Sequence, residues 1–218
     1  IVLDSQRITY GELDEASNRV ANALAGLGME KGDHVAILMS HSPDWVINYF
    51  GVIKGGGISV LLSSMLKAPK LDLLLHDSDC KILITEKGFS QMLSSILLHI
   101  PLLKHIIEID GDSYKKMVAR SPAISPEVDI GDDDEATIIY TSGVLGKQKG
   151  VVHTHASFMG TPNIVSSGIG REREDVVIDT VPFFYLFGLS EVLFGSIIKG
   201  STALIIPHFT PRAVLEAV

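Results

Sequence analysis

The chain has 218 residues and a formal net charge of -8 at pH 7, with 46% hydrophobic and 20% charged residues. This composition fits a compact globular protein, and the negative charge argues against a general role on nucleic acid or anionic membranes, because its long-range field repels phosphate. The single cysteine, Cys80, excludes an internal disulfide framework and favours a reducing compartment, so we expect a cytoplasmic protein with a buried spectator thiol.

The apolar runs and the two termini bear on membrane insertion, secretion and the extent of the chain. No apolar run reaches the roughly 18 residues of a membrane span, and the first residues lack the pattern of a signal peptide. The sequence does not begin with methionine, and its last residues look like the opening of a helix capped by Thr210. We therefore expect a piece of a longer chain.

Helix and strand patterns alternate along the first half of the chain. Thr9 and Glu12 have the spacing of a capping box, and apolar residues then recur at helical spacing as far as Gly28. Ser42 and Pro43 predict the start of a second helix. The other predictions for this half are buried strands at 34–40, 58–62, 81–85 and 105–109 and helices at 70–77, 89–100 and 113–119.

A proline-containing acidic stretch at about residues 121–135 predicts a surface linker. Its run of four acidic residues has a metal site as an alternative, but consecutive side chains point in different directions, which favours a solvated linker. Pro162 is expected to end or kink the helix that begins at residue 155. The remaining predictions are strands at 137–143, 175–182 and 201–207 and a helix at 185–199.

This alternation of apolar strands with longer helices predicts an α/β fold. We expect two largely parallel sheets that are flanked by helices and meet near the loop at residues 140–155. Trp45 and Tyr49 lie one helical turn apart and are expected in the core, whereas His153 is expected to face solvent.

Residues 140–155, YTSGVLGKQKGVVHTH, combine three glycines and two lysines directly after a predicted strand. Glycines let the backbone approach a ligand closely, and successive N–H groups in such a turn form a concave anion site. Thr141 and Ser142 add hydroxyls, and Lys147 and Lys149 add positive charge. The segment favours a polyphosphate, with an ordinary basic surface loop as the alternative; it is neither a Walker A loop nor a dinucleotide fingerprint.

The same segment resembles the phosphate-loop signature of the adenylate-forming superfamily, which includes acyl-CoA synthetases, aryl-CoA ligases and luciferases. The usual form is Tyr-Thr-Ser-Gly-Thr-Thr-Gly-x-Pro-Lys-Gly-Val, with a histidine shortly after. Residues 8–38 and 181–189 are similar to further segments of the family, so the resemblance spans nearly the whole chain. The matching residues of the loop are Thr141, Ser142, Gly143, Gly146, Lys149, Gly150, Val151 and His155.

The resemblance implies an acid–thiol ligase. Such an enzyme uses ATP and Mg²⁺ to convert a carboxylic acid into an acyl-adenylate, and then transfers the acyl group to coenzyme A. It also implies that residues 1–218 are an incomplete N-terminal AMP-binding domain, without the C-terminal domain that carries a catalytic lysine, so no catalytic residue and no metal ligand are expected here. The expected partners are these small molecules, and the chain alone is expected to be inactive.

The resemblance assigns the site residues to two groups. The residues implied to bind the phosphates are Thr141, Ser142, Gly143, Val144, Leu145, Gly146, Lys149 and Gly150. The residues implied to contact the acid or adenylate are Phe184, Tyr185, Gly188 and His155. Core packing is the alternative for the two aromatic residues, and shaping the base of the loop is the alternative for His155.

Three departures from the family pattern leave a second hypothesis open. Val144 and Leu145 stand where the family has hydroxyl residues, Gln148 stands where it has proline, and Tyr185 stands where it commonly has histidine. A hydrogen bond to a charged group contributes about 1.5–3 kcal/mol, so each lost hydroxyl predicts weaker phosphate binding by about tenfold to a hundredfold. The scaffold is then either an active ligase or a catalytically degenerate nucleotide- or acyl-binding module. Whether the acid is fatty or aryl stays open.

Overall fold

A computed structural model describes residues 1–3, 6–97, 100–142 and 148–218. The predicted α/β fold is confirmed: two mostly parallel sheets are flanked by helices. The strands are β1 Val2–Leu3, β2 Gln6–Arg7, β3 His34–Leu38, β4 Ile58–Leu61, β5 Ile82–Thr85, β6 His105–Glu108, β7 Glu135–Ser142, β8 Gln148–Thr154, β9 Val176–Asp179 and β10 Thr202–Ile205. The α-helices are α1 Tyr10–Gly26, α2 Pro43–Lys54, α3 Ala68–Asp77, α4 Ser90–Ser94, α5 Asp112–Arg120, α6 His155–Gly168, α7 Gly195–Lys199 and α8 Pro211–Ala217.

The larger sheet has the strand order β6-β5-β3-β4-β7-β8, and the smaller sheet has the order β2-β1-β10-β9. In the larger sheet every neighbouring pair is parallel except β7 and β8, which are antiparallel. The carboxyl ends of its parallel strands therefore meet at one edge, which is where open α/β sheets bind ligands. The first two strands of the chain join β9 and β10 in the smaller sheet, and the six strands between them in sequence, β3 to β8, form the larger sheet.

The capping box at the start of α1 is confirmed. Thr9 Oγ1 accepts a hydrogen bond from the Glu12 N–H at 3.1 Å, and the Glu12 carboxylate accepts one from the Thr9 N–H at 2.8 Å. α1 then packs closely against α2, because a Cβ atom at Gly51 would lie only 2.4 Å from Cγ1 of the buried Val20. A glycine at this position brings the two helices together against the sheet.

Two aromatic side chains anchor α2 in the core, as the sequence predicts. Trp45 and Tyr49 are 1% and 0% exposed, and their rings stack with centroids 5.3 Å apart. The Tyr49 hydroxyl lies 2.9 Å from Oγ1 of Thr137 on β7, so a polar contact inside the core joins helix to sheet. Cys80 is also buried as expected, and burial raises the pKa of its thiol to about 12, which makes it unreactive at neutral pH.

Two predicted helices differ from those in the structure. The prediction at 89–100 is wrong in length, because a 3₁₀ turn at Lys87–Phe89 leads into an α4 that ends at Ser94. The hydroxyls of Ser94 and Ser95 donate to carbonyls three residues earlier, which competes with helix continuation. The segment at 185–199 is helical, but its first part, Phe187–Phe194, is a π-helix.

Pro162 does not end its helix. It is buried inside α6, which continues to Gly168, so the expectation that it ends the helix is wrong, and the alternative of a kink stays a prediction. Residues 121–134 run across α1, where Asn18 donates to the Ala123 carbonyl at 3.0 Å and Arg19 donates to the Ser121 carbonyl at 2.6 Å. This stretch leads from α5 to β7 within the larger sheet. Across the described ranges, no helix combines the length and the apolarity needed to cross a bilayer.

Candidate functional site

The glycine-rich segment lies in a hairpin formed by β7 and β8. β7 begins in the core, and residues 140–142 continue past its last pairing with β4, at Leu61, beyond the carboxyl edge of the larger sheet. Thr141 and Ser142 are exposed there, as a ligand-binding role requires. Residues 143–147 lie outside the described residues, so the expectations for Gly143, Val144, Leu145 and Gly146 stay sequence predictions.

Strand pairing distributes the described part of the motif over two faces. Thr141 pairs with Lys149, and Ser142 pairs with Gln148. Because paired residues in an antiparallel ladder share a face and neighbours alternate, Thr141 and Lys149 lie on one face and the other pair lies on the opposite face. A ligand held by both sets would therefore wrap around the tip of the hairpin.

Gly150 has a packing role that the motif alone did not indicate. It pairs with Tyr140, and an added Cβ atom would lie 2.9 Å from Ile138 Cγ2 and 3.5 Å from the Tyr140 ring. The Tyr140 hydroxyl donates to the Asp77 carboxylate of α3 at 2.8 Å, and burial raises the pKa of this tyrosine. The glycine thus lets Tyr140 lie across the ladder and attach the hairpin to α3.

A cavity of about 250 Å³ lies beside the hairpin at the carboxyl edge of the sheet. Phe184 is buried, Tyr185 is 46% exposed, and their ring centroids are 4.6 Å apart on its wall. The cavity is lined by Leu61, Ser63, Met65, Leu66, Lys70, Leu74, Tyr140, Gln148, Phe184 and Tyr185. A larger cavity of about 460 Å³ lies between β6 and α5 but contains none of the predicted site residues.

Two polar lining residues were not identified from the sequence as ligand contacts. Lys70 of α3 contributes a cationic side chain, and no local motif marks it because the cavity forms only when α3 packs beside the hairpin. The sequence marks Gln148 only as a missing proline, yet its Oε1 atom is buried and has no hydrogen-bond partner among the described residues. A buried acceptor without a donor is a group that a bound ligand can satisfy.

Gly188 and His155 lie in different surroundings from the cavity. Gly188 is buried in the π-helix, and a Cβ atom there would lie 2.2 Å from the Val181 carbonyl oxygen, so close backbone packing accounts for a glycine. His155 begins α6 beside the start of β7, at the far end of β8 and about 23 Å along the strand from Gln148. The structure does not bring it together with Phe184, and its role as a ligand contact stays a prediction.

His155 and His153 are both partly buried, but they lie in different surroundings. His155 lines a smaller cavity with Lys31 and Asp134; burial lowers its pKa, and the Asp134 carboxylate acts in the opposite direction. The expectation that His153 faces solvent is wrong, because it is half-buried with its ring centroid 5.2 Å from that of Phe158. Within the described part of the chain, no three histidine, cysteine or acidic side chains are grouped to hold a metal ion.

Comparison with known proteins yields matches over nearly the whole chain. A family described as AMP-binding enzyme matches residues 1–218. The chain is 32% identical over 209 residues to the long-chain-fatty-acid–CoA ligase FadD13 of Mycobacterium tuberculosis. The aligned region covers 95% of this chain and 41% of that protein. It is 30% identical over 217 residues to the 4-hydroxybenzoate–CoA/benzoate–CoA ligase of Rhodopseudomonas palustris, covering 94% and 39%.

A solved structure shares the fold closely. The inhibitor-bound N-terminal domain of FACL13 from Mycobacterium tuberculosis superposes with a TM-score of 0.92 at 30% identity, covering 99% of this chain and 55% of that chain. The present chain spans about 40% of the length of the curated relatives it matches.

Proposed function

The chain belongs to the AMP-binding enzyme family, and from that membership we propose that the protein activates a carboxylic acid with ATP and transfers it to coenzyme A. The similar proteins of Mycobacterium and Rhodopseudomonas are themselves acid–CoA ligases. Because this chain spans about 40% of their length, complete ligation is proposed for the whole protein. The 218 residues are proposed to hold the phosphates of ATP and one wall of the acid site.

The proposed reaction has two displacements. The acid's carboxylate oxygen attacks the α-phosphorus of ATP, a P–O bond forms, and pyrophosphate leaves. The thiol sulfur of coenzyme A, having lost its proton, then attacks the acyl carbon, and AMP leaves with the bonding electrons. Catalysis of the first step depends on positioning and on stabilising charge at the phosphates.

The observation that carries the proposal is a basic, hydroxyl-bearing hairpin beside an aromatic cavity. Thr141 and Lys149 share a face of the hairpin and supply a hydroxyl and a positive charge for phosphate oxygens. Phe184 and Tyr185 supply an apolar wall with a hydroxyl for the acid. Lys70 adds positive charge to a chain that is negative as a whole, which suits an anionic ligand.

The donor set fits ATP that brings its own Mg²⁺. The described lining of the cavity contains no carboxylate and so offers the metal no ligand, and the phosphates are assigned to the hairpin and not to this acid cavity. Magnesium there would neutralise phosphate charge. Lys149 and the hydroxyl of Thr141 would orient the phosphate chain beside it.

Calorimetric titration of the chain with MgATP tests the phosphate role. Lys149→Ala should weaken binding about tenfold or more, because a charge-assisted hydrogen bond of about 1.5–3 kcal/mol is lost. Lys116→Ala is the matched control: it removes the same charge from an exposed site on α5 and should leave the affinity unchanged. Equal effects of both substitutions, or no MgATP binding by the parent chain, would contradict the assignment.

A second candidate function is a nucleotide- or acyl-binding module that does not adenylate. It is favoured by Val144 and Leu145, which replace the hydroxyl residues of the family signature. Pyrophosphate release from ATP, measured with a panel of fatty and aryl acids on the full-length protein, separates the two. Acid-dependent release supports the ligase, whereas MgATP binding without release supports the module. The 218-residue chain alone is proposed to bind without turning over.

A further inference from the structure

A buried histidine and a buried aspartate meet where the two sheets join. His41 follows β3 of the larger sheet, and Asp179 ends β9 of the smaller sheet. Their side chains are 5% and 0% exposed, and Nε2 of His41 lies 3.7 Å from Oδ2 of Asp179. Within the described residues, neither imidazole nitrogen has a hydrogen-bond partner, and nor does Oδ2 of Asp179. Neither residue belongs to the motif segments on which the proposed function rests.

Burial decides the charge state of this pair. An ionised carboxylate that accepts only one hydrogen bond is costly in the protein interior, so burial favours the protonated acid. Burial raises the pKa of Asp179 to about 8 and lowers the pKa of His41 to about 4. At neutral pH the pair therefore holds one proton, on the carboxyl group of Asp179, beside a neutral imidazole.

The pair supports the base of the segment that carries the cavity's aromatic wall. This aromatic segment comprises residues 180–185. Oδ1 of Asp179 accepts a hydrogen bond from the Val181 N–H at 3.3 Å, and the His41 ring centroid lies 4.1 Å from that of Phe183. Phe183 directly precedes the two residues of the cavity wall, so a displacement of the pair is transmitted to the wall through one peptide unit.

The other ionisable groups on the surrounding elements form no ion pair with His41 or Asp179 in the described ranges. Glu86, beyond β5, accepts hydrogen bonds from the Ser40 backbone N–H and hydroxyl. Asp44 lies in the first turn of α2, Glu191 accepts from the Ser190 hydroxyl in the π-helix, and His208 is exposed beyond β10. In the described ranges, no charged residue except His41 and Asp179 themselves forms an ion pair with either of them.

We propose that His41 and Asp179 are positioning residues: with Asp179 protonated and His41 neutral, the pair holds the aromatic segment, and with it Phe184 and Tyr185, against the acid cavity. Loss of that proton leaves a buried carboxylate beside Phe183, and the segment moves to hydrate it. The identity of the ligand rests on the proposed function, but the positioning of Phe183 does not.

The chain contains a built-in reporter of this segment. Trp45 is its only tryptophan, it is buried, and its ring centroid lies 5.1 Å from that of Phe183. Trp45 fluorescence, recorded from about pH 6 to about pH 9, a range that brackets the raised pKa of Asp179, should show a transition with a midpoint at about pH 8. Asp179→Asn should abolish it, because the amide mimics the protonated acid at every pH. Asp133→Asn, the same change at an exposed site, should retain it.

Binding of two acids, benzoate and octanoate, measured by calorimetry over the same pH range, tests the consequence for the site. Both acids are ionised throughout, so their own titration does not interfere. The parent chain should lose about tenfold in affinity above the transition, Asp179→Asn should bind equally at all pH values, and Asp179→Ala should bind weakly at all of them. MgATP affinity should change in none of these variants.

The outcomes separate the proposal from the function on which it rests. No fluorescence transition, a transition that persists in Asp179→Asn, or equally weak acid binding by Asp179→Asn and Asp179→Ala would overturn the positioning role. A transition that Asp179→Asn abolishes, in a chain that binds neither acid, supports the positioning of Phe183 and counts against the proposed acid site.

Discussion

Lys149 and Gly150 are neighbours on β8, but we expect them to have different roles: ligand binding for the lysine and packing for the glycine. The lysine shares a face with Thr141 at the exposed tip of the hairpin, where a charge can reach phosphate oxygens. The glycine leaves room for Tyr140 and Ile138 on the opposite face. We therefore expect the motif residues to divide into those that contact a ligand and those that let the supporting strand pack, and only substitutions in the first group should alter ligand affinity without altering stability.

Restoring hydroxyls at positions 144 and 145 should strengthen phosphate binding. Val144→Thr combined with Leu145→Thr is expected to tighten MgATP binding by about 1–3 kcal/mol, less than two ideal hydrogen bonds because neighbouring effects couple. Calorimetric titration measures the change. Val151→Thr with Val152→Thr adds the same hydroxyls to exposed positions on β8 and should have no effect. If both double variants bind like the parent, the missing hydroxyls do not limit affinity and the degenerate-module hypothesis loses its main support.

At the scale of elements, the α1–α2 pair and the hairpin position the site. α2 is joined to β7 through the contact between the Tyr49 and Thr137 hydroxyls, and the hairpin continues β7 beyond the sheet edge. The hairpin is also attached to α3 by Tyr140 and Asp77. Because the cavity lies between α3 and the hairpin, its shape depends on both attachments.

The close crossing of α1 and α2 should be sensitive to one methyl group. Gly51→Ala places a Cβ atom 2.4 Å from Val20 Cγ1, so the free energy of unfolding should fall by about 1–3 kcal/mol. Gly160→Ala is the control: no atom lies within 4 Å of its added Cβ, and it should raise stability by about 0.5–1 kcal/mol through helix propensity. Urea unfolding of both variants checks the contrast, and a stable Gly51→Ala protein would show that the helices can separate at little cost.

For the whole molecule, the junction of the two sheets should make stability depend on pH. The pKa of Asp179 in the folded protein is about 8, above its ordinary value of 3.8. Its contribution to the free energy of unfolding is therefore fully present below pH 3.8 and is lost as the pH rises through 8. The folded pKa of His41, about 4, lies below its ordinary 6.5, so its contribution is lost as pH falls towards 4. Between about pH 4 and 6.5 the two effects on the free energy of unfolding cancel, because the pair holds one proton in both the folded and the unfolded protein.

Above that range only the folded pair holds a proton. The free energy of unfolding should therefore fall by about 2 kcal/mol between about pH 6.5 and 8, at 1.36 kcal/mol for each pH unit. Chemical denaturation at a series of pH values measures the slope, and its difference from that of Asp179→Asn isolates the pair from other titrating groups. Parallel pH profiles for the two proteins would show that the pair does not titrate in this range.

Local signals in the sequence predicted much of the fold and part of the site. The capping box of Thr9 and Glu12, the helix start at Pro43 and the core positions of Trp45 and Tyr49 depend on spacings within a few residues, and each is confirmed. The helix at 89–100 was overestimated because serine hydroxyls compete for backbone carbonyls, an effect that apolar periodicity does not contain. The sequence predicts a phosphate loop at residues 140–155, but the division of its described residues between two faces requires the strand register.

By itself, the sequence determined the alternation of strands and helices, the family signature and the departures from it, because all of these are patterns of neighbouring residues. Only the tertiary structure decided which distant segments meet. It placed Lys70 beside Gln148, separated His155 from Phe184, and brought His41 to Asp179, more than a hundred positions away in the chain. The physical reason is that long-range contacts follow from strand order and from shared burial, which no short window of sequence records.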